Sequence, residues 1–182
     1  MILGPGLPVG QPLADALGAD TDVLFDLDIE GNRPDALSIL GVTRDLAARL
    51  KVPFTIPASE VPDGATRTAD RASVRIDDGE LCLRFGLRVL DGVSVGPSPT
   101  WLVQRLERSG MRSINTIVDI SNYVMLELGQ PNHTYDLGLV PDGALIVRRG
   151  RDGETMTTLD DAKRAITPAD GVIANAADEP IG

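Results

Sequence analysis

The sequence contains one cysteine, Cys82, and one histidine, His133, in 182 residues. A single cysteine excludes a disulfide within the chain, and one of each residue is too few for a Cys/His zinc site. Cys82 lies in "ELCLRFGLRVL", a stretch typical of a strand, so we interpret it as a small core residue rather than a nucleophile. Neither a metal nor a cofactor is expected. His133 is the one imidazole available for proton transfer near neutral pH.

Long apolar runs and an excess of basic residues are also lacking. No run approaches the roughly 20 apolar residues of a membrane-spanning helix, and the opening "MILGPGLPVG" has no basic region typical of a signal peptide. The net charge of -10 disfavours nucleic-acid binding through bulk counterion release. We therefore expect a cytoplasmic protein that binds neither a membrane nor DNA. Any RNA contact has to be local. "RRGR", Arg148 to Arg151, is the best local candidate, but a run of four residues is more typical of a solvated turn.

Several common site signatures are missing as well. Aromatic residues make up 3% of the chain, too few for a platform that stacks single-stranded nucleic acid. Neither phosphate-binding loop, GxxxxGKS/T or GxGxxG, is present. A Ser-His-Asp site would have to join His133 to Ser121 and to Asp119 or Asp136, and no nucleophile elbow accompanies them.

Proline and glycine divide the chain into three parts. Residues 1–52 predict a small strand–turn–helix segment, residues 53–73 a Pro-rich linker, and residues 74–182 a larger domain. The larger part combines two helices with several short strands. This order predicts an α+β fold with a mixed or antiparallel sheet and packed helices, preceded by the small strand–helix segment.

In the first part, "PLADALG" predicts a weak helix that closes at Gly18. "DVLFDLDIE" alternates apolar and acidic residues from Val23 to Ile29, which predicts a half-buried strand. The turn "GNRPD" follows. A helix with Asp35 at its N-cap and apolar residues at helical spacing then continues to Leu50.

In the larger part, Asp78-Gly79 predicts a hairpin that joins two strands. "PSPTWLVQRLERSG" predicts a helix with Ser98 at the N-cap and Pro99 at the first helical position. A second helix is expected from residue 117 to residue 128. The stretches "ALIVRRG", "ETMTTLD", "KRAIT" and "GVIAN" predict short strands separated by turns.

Three segments of the chain, residues 25–50, 92–137 and 158–175, resemble successive segments of the bacterial phenylalanyl-tRNA synthetase β subunit. The motifs that carry the resemblance are "NRPD" in the first segment and "NYVMLELGQPNHTYD" in the second. The first segment is similar to the end of the family's B1 region, and the other two are similar to its B3/B4 region. The order and spacing also agree, and the resemblance covers nearly the whole chain.

The family's B3/B4 module is an editing domain that hydrolyses tyrosine wrongly attached to the phenylalanine tRNA. The resemblance implies that His133 and Asn122 occupy editing-site positions and that Ser121 supplies the hydroxyl of the usual threonine. These three form the predicted catalytic set. The predicted substrate-binding set is Pro131, Asn132, Tyr135 and Asp119. Asp119 also fits a structural role as a cap or turn carboxylate.

The sequence departs from the family's pattern at several positions. Asn132 replaces an apolar residue, Tyr135 replaces a phenylalanine, and Glu30-Gly31 replaces a Thr-Pro-like pair. The family continues with a Gly-rich segment and a glutamate that recognises the tyrosine hydroxyl, whereas this sequence ends at "DEPIG". We therefore expect a truncated stand-alone homologue of the editing region and not a complete synthetase.

Three functions are compatible with these residues. The preferred hypothesis is a pocket repurposed for a small-molecule, biosynthetic reaction that uses His133, with an aromatic amino-acid-like ligand. The second is editing of phenylalanine tRNA mischarged with tyrosine, by a stand-alone domain or by a fragment of the synthetase β subunit, with aminoacyl-tRNA as the substrate and a synthetase subunit as a partner. The third is a non-catalytic interaction module that pairs with another subunit or forms a homo-oligomer.

Overall fold

The computed structural model describes residues 6–7, 9–16, 23–158 and 161–182, which form four α-helices and five β-strands. The predicted helix end at Gly18 lies outside the described residues. The α+β class is confirmed. The helices are α1 (Leu13–Ala16), α2 (Ile39–Leu50), α3 (Thr100–Arg108) and α4 (Thr116–Leu128), and the strands are β1 (Ser73–Ile76), β2 (Ala144–Arg149), β3 (Thr155–Thr157), β4 (Lys163–Ala165) and β5 (Gly171–Ala174).

The main sheet is mixed and has the order β1-β2-β5. β1 runs parallel to β2, and β2 runs antiparallel to β5. β3 and β4 form a separate antiparallel pair. The central strand β2 carries four consecutive buried residues, Leu145 to Arg148, because it is covered on both faces and paired on both edges. The expected mixed sheet is therefore present.

The helices α3 and α4 pack against each other. α3 buries Leu102 and Leu106, which lie one turn apart on one face. α4 begins where the side chain of Asn115 accepts hydrogen bonds from the backbone N–H groups of Ile117 and Val118, at 3.0 and 3.1 Å. It ends at Gly129, whose φ of 80° is the left-handed conformation that glycine adopts without strain. The second predicted helix is thus confirmed, starting one residue earlier.

α2 begins at a different residue from the one predicted. The N-cap is Ser38, whose hydroxyl oxygen accepts a hydrogen bond from the N–H of Gly41 at 3.0 Å. Asp35 lies in a short 3-10 turn before the helix, and its carboxylate accepts hydrogen bonds from Arg33 and Arg44. The N-cap prediction was wrong because those two arginines bind the carboxylate that the sequence pattern had assigned to the helix start.

Two predicted strands are absent from the described chain. Residues 23–29 form no strand, and Phe25 is 77% exposed. Asp78 does not lead a hairpin: its side chain accepts hydrogen bonds from the N–H groups of Glu80 and Leu81, and residues 83–95 contain no strand. Alternation of apolar residues indicates which side chains face inward. A strand also needs an adjacent strand that hydrogen-bonds its backbone N–H and C=O groups. Those predictions were wrong, and the half-buried Cys82 lies in the turn rather than in a strand.

The buried guanidinium of Arg148 joins three parts of the chain. It donates two hydrogen bonds to the Glu154 carboxylate at 2.7 and 3.0 Å, and its Nε donates to the Asp178 carboxylate at 2.6 Å. Two backbone carbonyls, those of Arg149 and Asp178, accept the remaining bonds. Arg148 therefore anchors the turn after β2 and the segment after β5 to the central strand.

The neighbouring arginines of "RRGR" are also paired with carboxylates. Arg149 bonds Asp78 at 2.6 Å, and Arg151 forms an ion pair with Asp178 at 2.5 Å. The RNA contact predicted for this run is therefore wrong for Arg148, which is 4% exposed. Its two neighbours already have carboxylate partners.

The three-part division of the chain at residues 1–52, 53–73 and 74–182 stays a prediction. Residues 52–64 form neither helix nor strand, as a linker would. α2 nevertheless contacts α4, so the helix of the first part packs on a helix of the third.

Candidate functional site

A groove of about 760 Å³ borders the start of β1 and the loop that follows α4. We refer to it as the groove throughout. Its two longest lining segments are residues 86–93 and 132–137, and residues 71, 72, 95, 115, 117, 118, 140, 143 and 145 complete the lining. It therefore combines the stretch that was predicted as a strand with the loop that carries the only histidine.

His133 lies in the second of these segments and is exposed. Its ring stands against the ring of Tyr135, with the centroids 4.4 Å apart and the planes tilted by 35°. The loop begins after Gly129 ends α4, so the helix determines where the histidine enters the groove. An exposed imidazole supported by an aromatic ring can reach both a ligand and solvent water.

Ser121 and Asn132 tie this loop to α4 by a reciprocal pair of hydrogen bonds. The Ser121 hydroxyl donates to the backbone carbonyl of Asn132 at 2.9 Å, and the Asn132 side-chain amide donates to the backbone carbonyl of Ser121 at 3.2 Å. Because Asn132 directly precedes His133, the pair restricts the backbone that carries the imidazole.

Tyr135 is half-buried, and its hydroxyl oxygen has no hydrogen-bond partner within the described part of the chain. Burial raises the pKa of this phenol above its ordinary value. The hydroxyl faces Gly182, where an added Cβ atom would lie 2.6 Å from the phenol oxygen. A larger residue at position 182 would therefore displace the tyrosine that supports His133.

Asp119 lies at the start of α4, is completely buried and does not line the groove. One carboxylate oxygen accepts from the hydroxyls of Ser98 and Ser113 at 2.5 and 2.6 Å, and the other accepts from the N–H of Ile114 at 2.9 Å. Ser98 was expected to cap α3, but Pro99 occupies the cap position and Ser98 bonds Asp119 instead. Both oxygens have protein partners, so Asp119 fixes the loops before α3 and α4.

Burial alone would raise the pKa of the Asp119 carboxyl. The hydrogen bonds from Ser113, Ser98 and the backbone outweigh it and lower the pKa below its ordinary value. Such a carboxylate contributes stability above its unfolded pKa of about 3.9, and the contribution is lost as the pH falls through the lower folded pKa.

Asp119→Asn is expected to reduce the free energy of unfolding by about 1–3 kcal/mol at pH 7, because its amide nitrogen cannot accept the bonds that a carboxylate oxygen accepts. Chemical unfolding at pH 7 and at decreasing pH measures the effect. The difference from wild type should shrink at acid pH, and a difference that grows there would contradict this assignment. Asp136→Asn is the matched control. Among the described residues its exposed carboxylate accepts only from the N–H of Gly138, so the change should alter stability by about 1 kcal/mol or less.

The structure brings part of the predicted site together. His133, Asn132 and Tyr135 line the groove, and Ser121 reaches it through its bonds with Asn132. The other three do not line it: Asn122 is half-buried on α4, Pro131 is exposed and Asp119 is buried.

No sequence motif predicted the residues of the other wall of the groove. Arg71 and Arg88 line it, and Arg71 donates a hydrogen bond to the Asp91 carboxylate at 2.5 Å. These partners lie 20 residues apart, so no local sequence signal joins them.

Among the described residues, no group of three or more His, Cys, Asp or Glu side chains is placed to hold a metal ion. In the same part of the chain, no helix is long and apolar enough to cross a membrane.

Comparison with known proteins matches residues 81–181 to the B3/4 domain family. The phenylalanine–tRNA ligase beta subunit of Geobacter sulfurreducens is 45% identical over 177 residues, covering 97% of this chain and 22% of that protein. The beta subunit of Anaeromyxobacter dehalogenans is 46% identical over 175 residues, covering 96% and 22%. That of Nitratidesulfovibrio vulgaris is 39% identical over 182 residues, covering 100% and 23%. The chain thus spans about a fifth of the length of these curated relatives.

Proposed function

The chain belongs to the B3/4 domain family, and from this premise we propose that the groove binds the aminoacylated 3′ end of a tRNA and hydrolyses its ester. The relatives named above are phenylalanine–tRNA ligase beta subunits, which supports an aminoacyl-tRNA as the ligand. The observation that carries the proposal is the exposed imidazole of His133 in the groove, supported by the ring of Tyr135. A volume of about 760 Å³ also lies within the roughly 300–1,000 Å³ typical of ligand pockets.

In the proposed reaction a water molecule attacks the carbonyl carbon of the ester. His133 takes the proton from the water as the oxygen–carbon bond forms, and it returns a proton to the ribose oxygen as the ester bond breaks. The products are the free amino acid and the uncharged tRNA. A positioned water and a proton acceptor are sufficient for ester hydrolysis, so the proposed reaction requires no metal or cofactor.

The remaining candidates take supporting roles in this proposal. Ser121 and Asn132 hold the loop of His133, and Tyr135 supports the ring. Asn122 and Pro131 stay candidates for orienting the substrate because they match editing-site positions of the resembled family. Asp119 is left out of the site, since both of its oxygens are bonded within the protein.

The proposal is tested by following the release of labelled tyrosine from phenylalanine tRNA that has been mischarged with tyrosine, called tyrosyl-tRNA below. We expect the 182-residue protein to release tyrosine faster than buffer does. A folded protein that releases it at the buffer rate would contradict the proposal.

Two other hypotheses stay predictions. One is a small-molecule reaction at His133, and the other is a non-catalytic module that pairs with a synthetase subunit or with a second copy. Both predict no release of tyrosine above the buffer rate, so the same assay separates them from hydrolysis of the tRNA ester.

Ser121→Ala removes the hydroxyl that holds the loop, and we expect it to lower kcat for deacylation about tenfold while KM stays within about twofold. Ser121→Thr keeps the hydroxyl and should restore most of the rate. Steady-state kinetics of the two variants measure the effect. An alanine variant as fast as the threonine variant would show that the bond to Asn132 does not position His133.

A further inference from the structure

We propose that Arg88 forms a phosphate-binding subsite of the groove and holds the phosphodiester that precedes the aminoacylated ribose. The inference rests on the proposed function, because it takes the 3′ end of a tRNA as the ligand. Beyond that function, it specifies which group of the tRNA is recognised, a backbone phosphate, and which residue binds it, Arg88.

The charged side chains along the groove differ in their partners. Asp91 accepts a hydrogen bond from Arg71 at 2.5 Å, and Asp136 accepts one from the backbone N–H of Gly138 at 2.9 Å. Arg88 also lines the groove, but its guanidinium makes no hydrogen bond or ion pair with any residue that the structure describes. Within that part of the chain, Arg88 is the groove's cation without a carboxylate partner.

The backbone around Arg88 holds its side chain at the groove's rim. Leu87 and Val89 on either side are half-buried, whereas Arg88 is exposed. The N–H of Val89 donates to the hydroxyl oxygen of Thr68 at 3.4 Å, which connects this wall to the turn before β1. The flanking apolar residues fix the wall, and the guanidinium remains free to meet a ligand.

The charge of the whole chain makes such a local contact necessary. With a net charge of -10, the protein repels an RNA at long range, so a bound 3′ end must be held by nearby cations. When the ester lies beside His133, the next charged group along the RNA is the phosphodiester one ribose away. A guanidinium matches this group well, because it can donate two parallel hydrogen bonds to phosphate oxygens.

The test compares Arg88→Gln with Arg84→Gln. Arg84 is an exposed arginine four residues earlier that does not line the groove, so it matches the change in charge. tRNA affinity is measured between low and moderate salt for both variants and for wild type. We expect Arg88→Gln to weaken binding about fivefold at low salt. The slope of log affinity against log salt should also become less steep by about 0.7, the value for one phosphate contact on a single strand. Arg84→Gln should leave the slope unchanged.

Three outcomes would each overturn the inference. The salt dependence of tRNA affinity could have the same slope for Arg88→Gln as for wild type. Arg88→Gln and Arg84→Gln could change the affinity equally, or the wild-type protein could fail to bind tRNA. A small tyrosine ester without phosphate gives a second measurement. Arg88→Gln should hydrolyse it at the wild-type rate, and a loss as large as that on tyrosyl-tRNA would contradict a phosphate contact. Failure of the proposed function is distinguishable, because a protein that binds tRNA but does not deacylate it still gives the salt slopes.

Discussion

Replacing His133 by alanine is expected to slow deacylation of tyrosyl-tRNA by about 10²- to 10⁴-fold, the contribution typical of a general base. The imidazole is the only one in the chain, so no second histidine can replace it. Its ring lies at the groove surface against Tyr135, and its removal would deprive the water of the proposed reaction of its proton acceptor. Single-turnover release of tyrosine measures the loss.

The control for this variant is Gln130→Ala, an exposed residue of the same loop that does not line the groove. It should deacylate within about twofold of wild type. Both variants should unfold at the wild-type temperature, since His133 is exposed and its loop is held by the bonds between Ser121 and Asn132. A His133→Ala protein that retains the wild-type rate would remove the histidine from the mechanism.

Arg148→Ala is expected to lower the free energy of unfolding by about 2–4 kcal/mol, because it removes a buried guanidinium and leaves two partly buried carboxylates without its hydrogen bonds. The guanidinium is 4% exposed and donates to two carboxylates and two backbone carbonyls. Arg149→Ala is the matched control. That side chain is 44% exposed and bonds one carboxylate, so its loss should cost less than about 1 kcal/mol. Chemical unfolding of both variants tests the contrast, and equal losses would contradict the role assigned to Arg148.

The same network gives stability a dependence on pH. The bonds from Arg148 lower the pKa of Glu154, and the bonds from Arg151 and Arg148 lower the pKa of Asp178. Carboxyl groups with a lowered folded pKa stabilise the protein above their unfolded pKa and lose that contribution as the pH falls through the folded value. The difference in the free energy of unfolding between wild type and Arg148→Ala should therefore decrease below about pH 4.

Elements that depend on local sequence were predictable. α4 has an asparagine at its N-cap and a glycine where its chain must turn, and both features act within a few residues. The four strands from β2 to β5 lie between Gly, Asp or Pro turns that mark their ends. The motif "GQPNHTYDL" also identified the loop that enters the groove.

Strand pairings that depend on distant partners were not predictable. β1 lies where the first strand of the expected hairpin was predicted, but it pairs with β2, which lies far along the chain. The alternating stretch after Asp78 finds no strand partner in the described part. For Asp119 the sequence left both a site role and a structural role open, and the distant hydroxyls of Ser98 and Ser113 that bind its carboxylate are not evident from residue spacing. The groove wall at Arg71 and Arg88 likewise depends on tertiary packing, which residue spacing does not encode.

The most direct test of the account uses the single histidine as a spectroscopic probe. The ring resonances of His133 are the only histidine ring signals of the 182-residue protein, so they can be followed without ambiguity during a titration. The ligand is a short RNA whose 3′ end carries tyrosine through an amide that water does not readily cleave. If the groove binds the aminoacylated end, the His133 resonances shift as RNA is added, and the shift reaches a plateau at saturating RNA. The Gln130→Ala variant should show the same shifts. If the RNA binds while the His133 resonances do not move, the aminoacyl end lies elsewhere and the proposed site is contradicted.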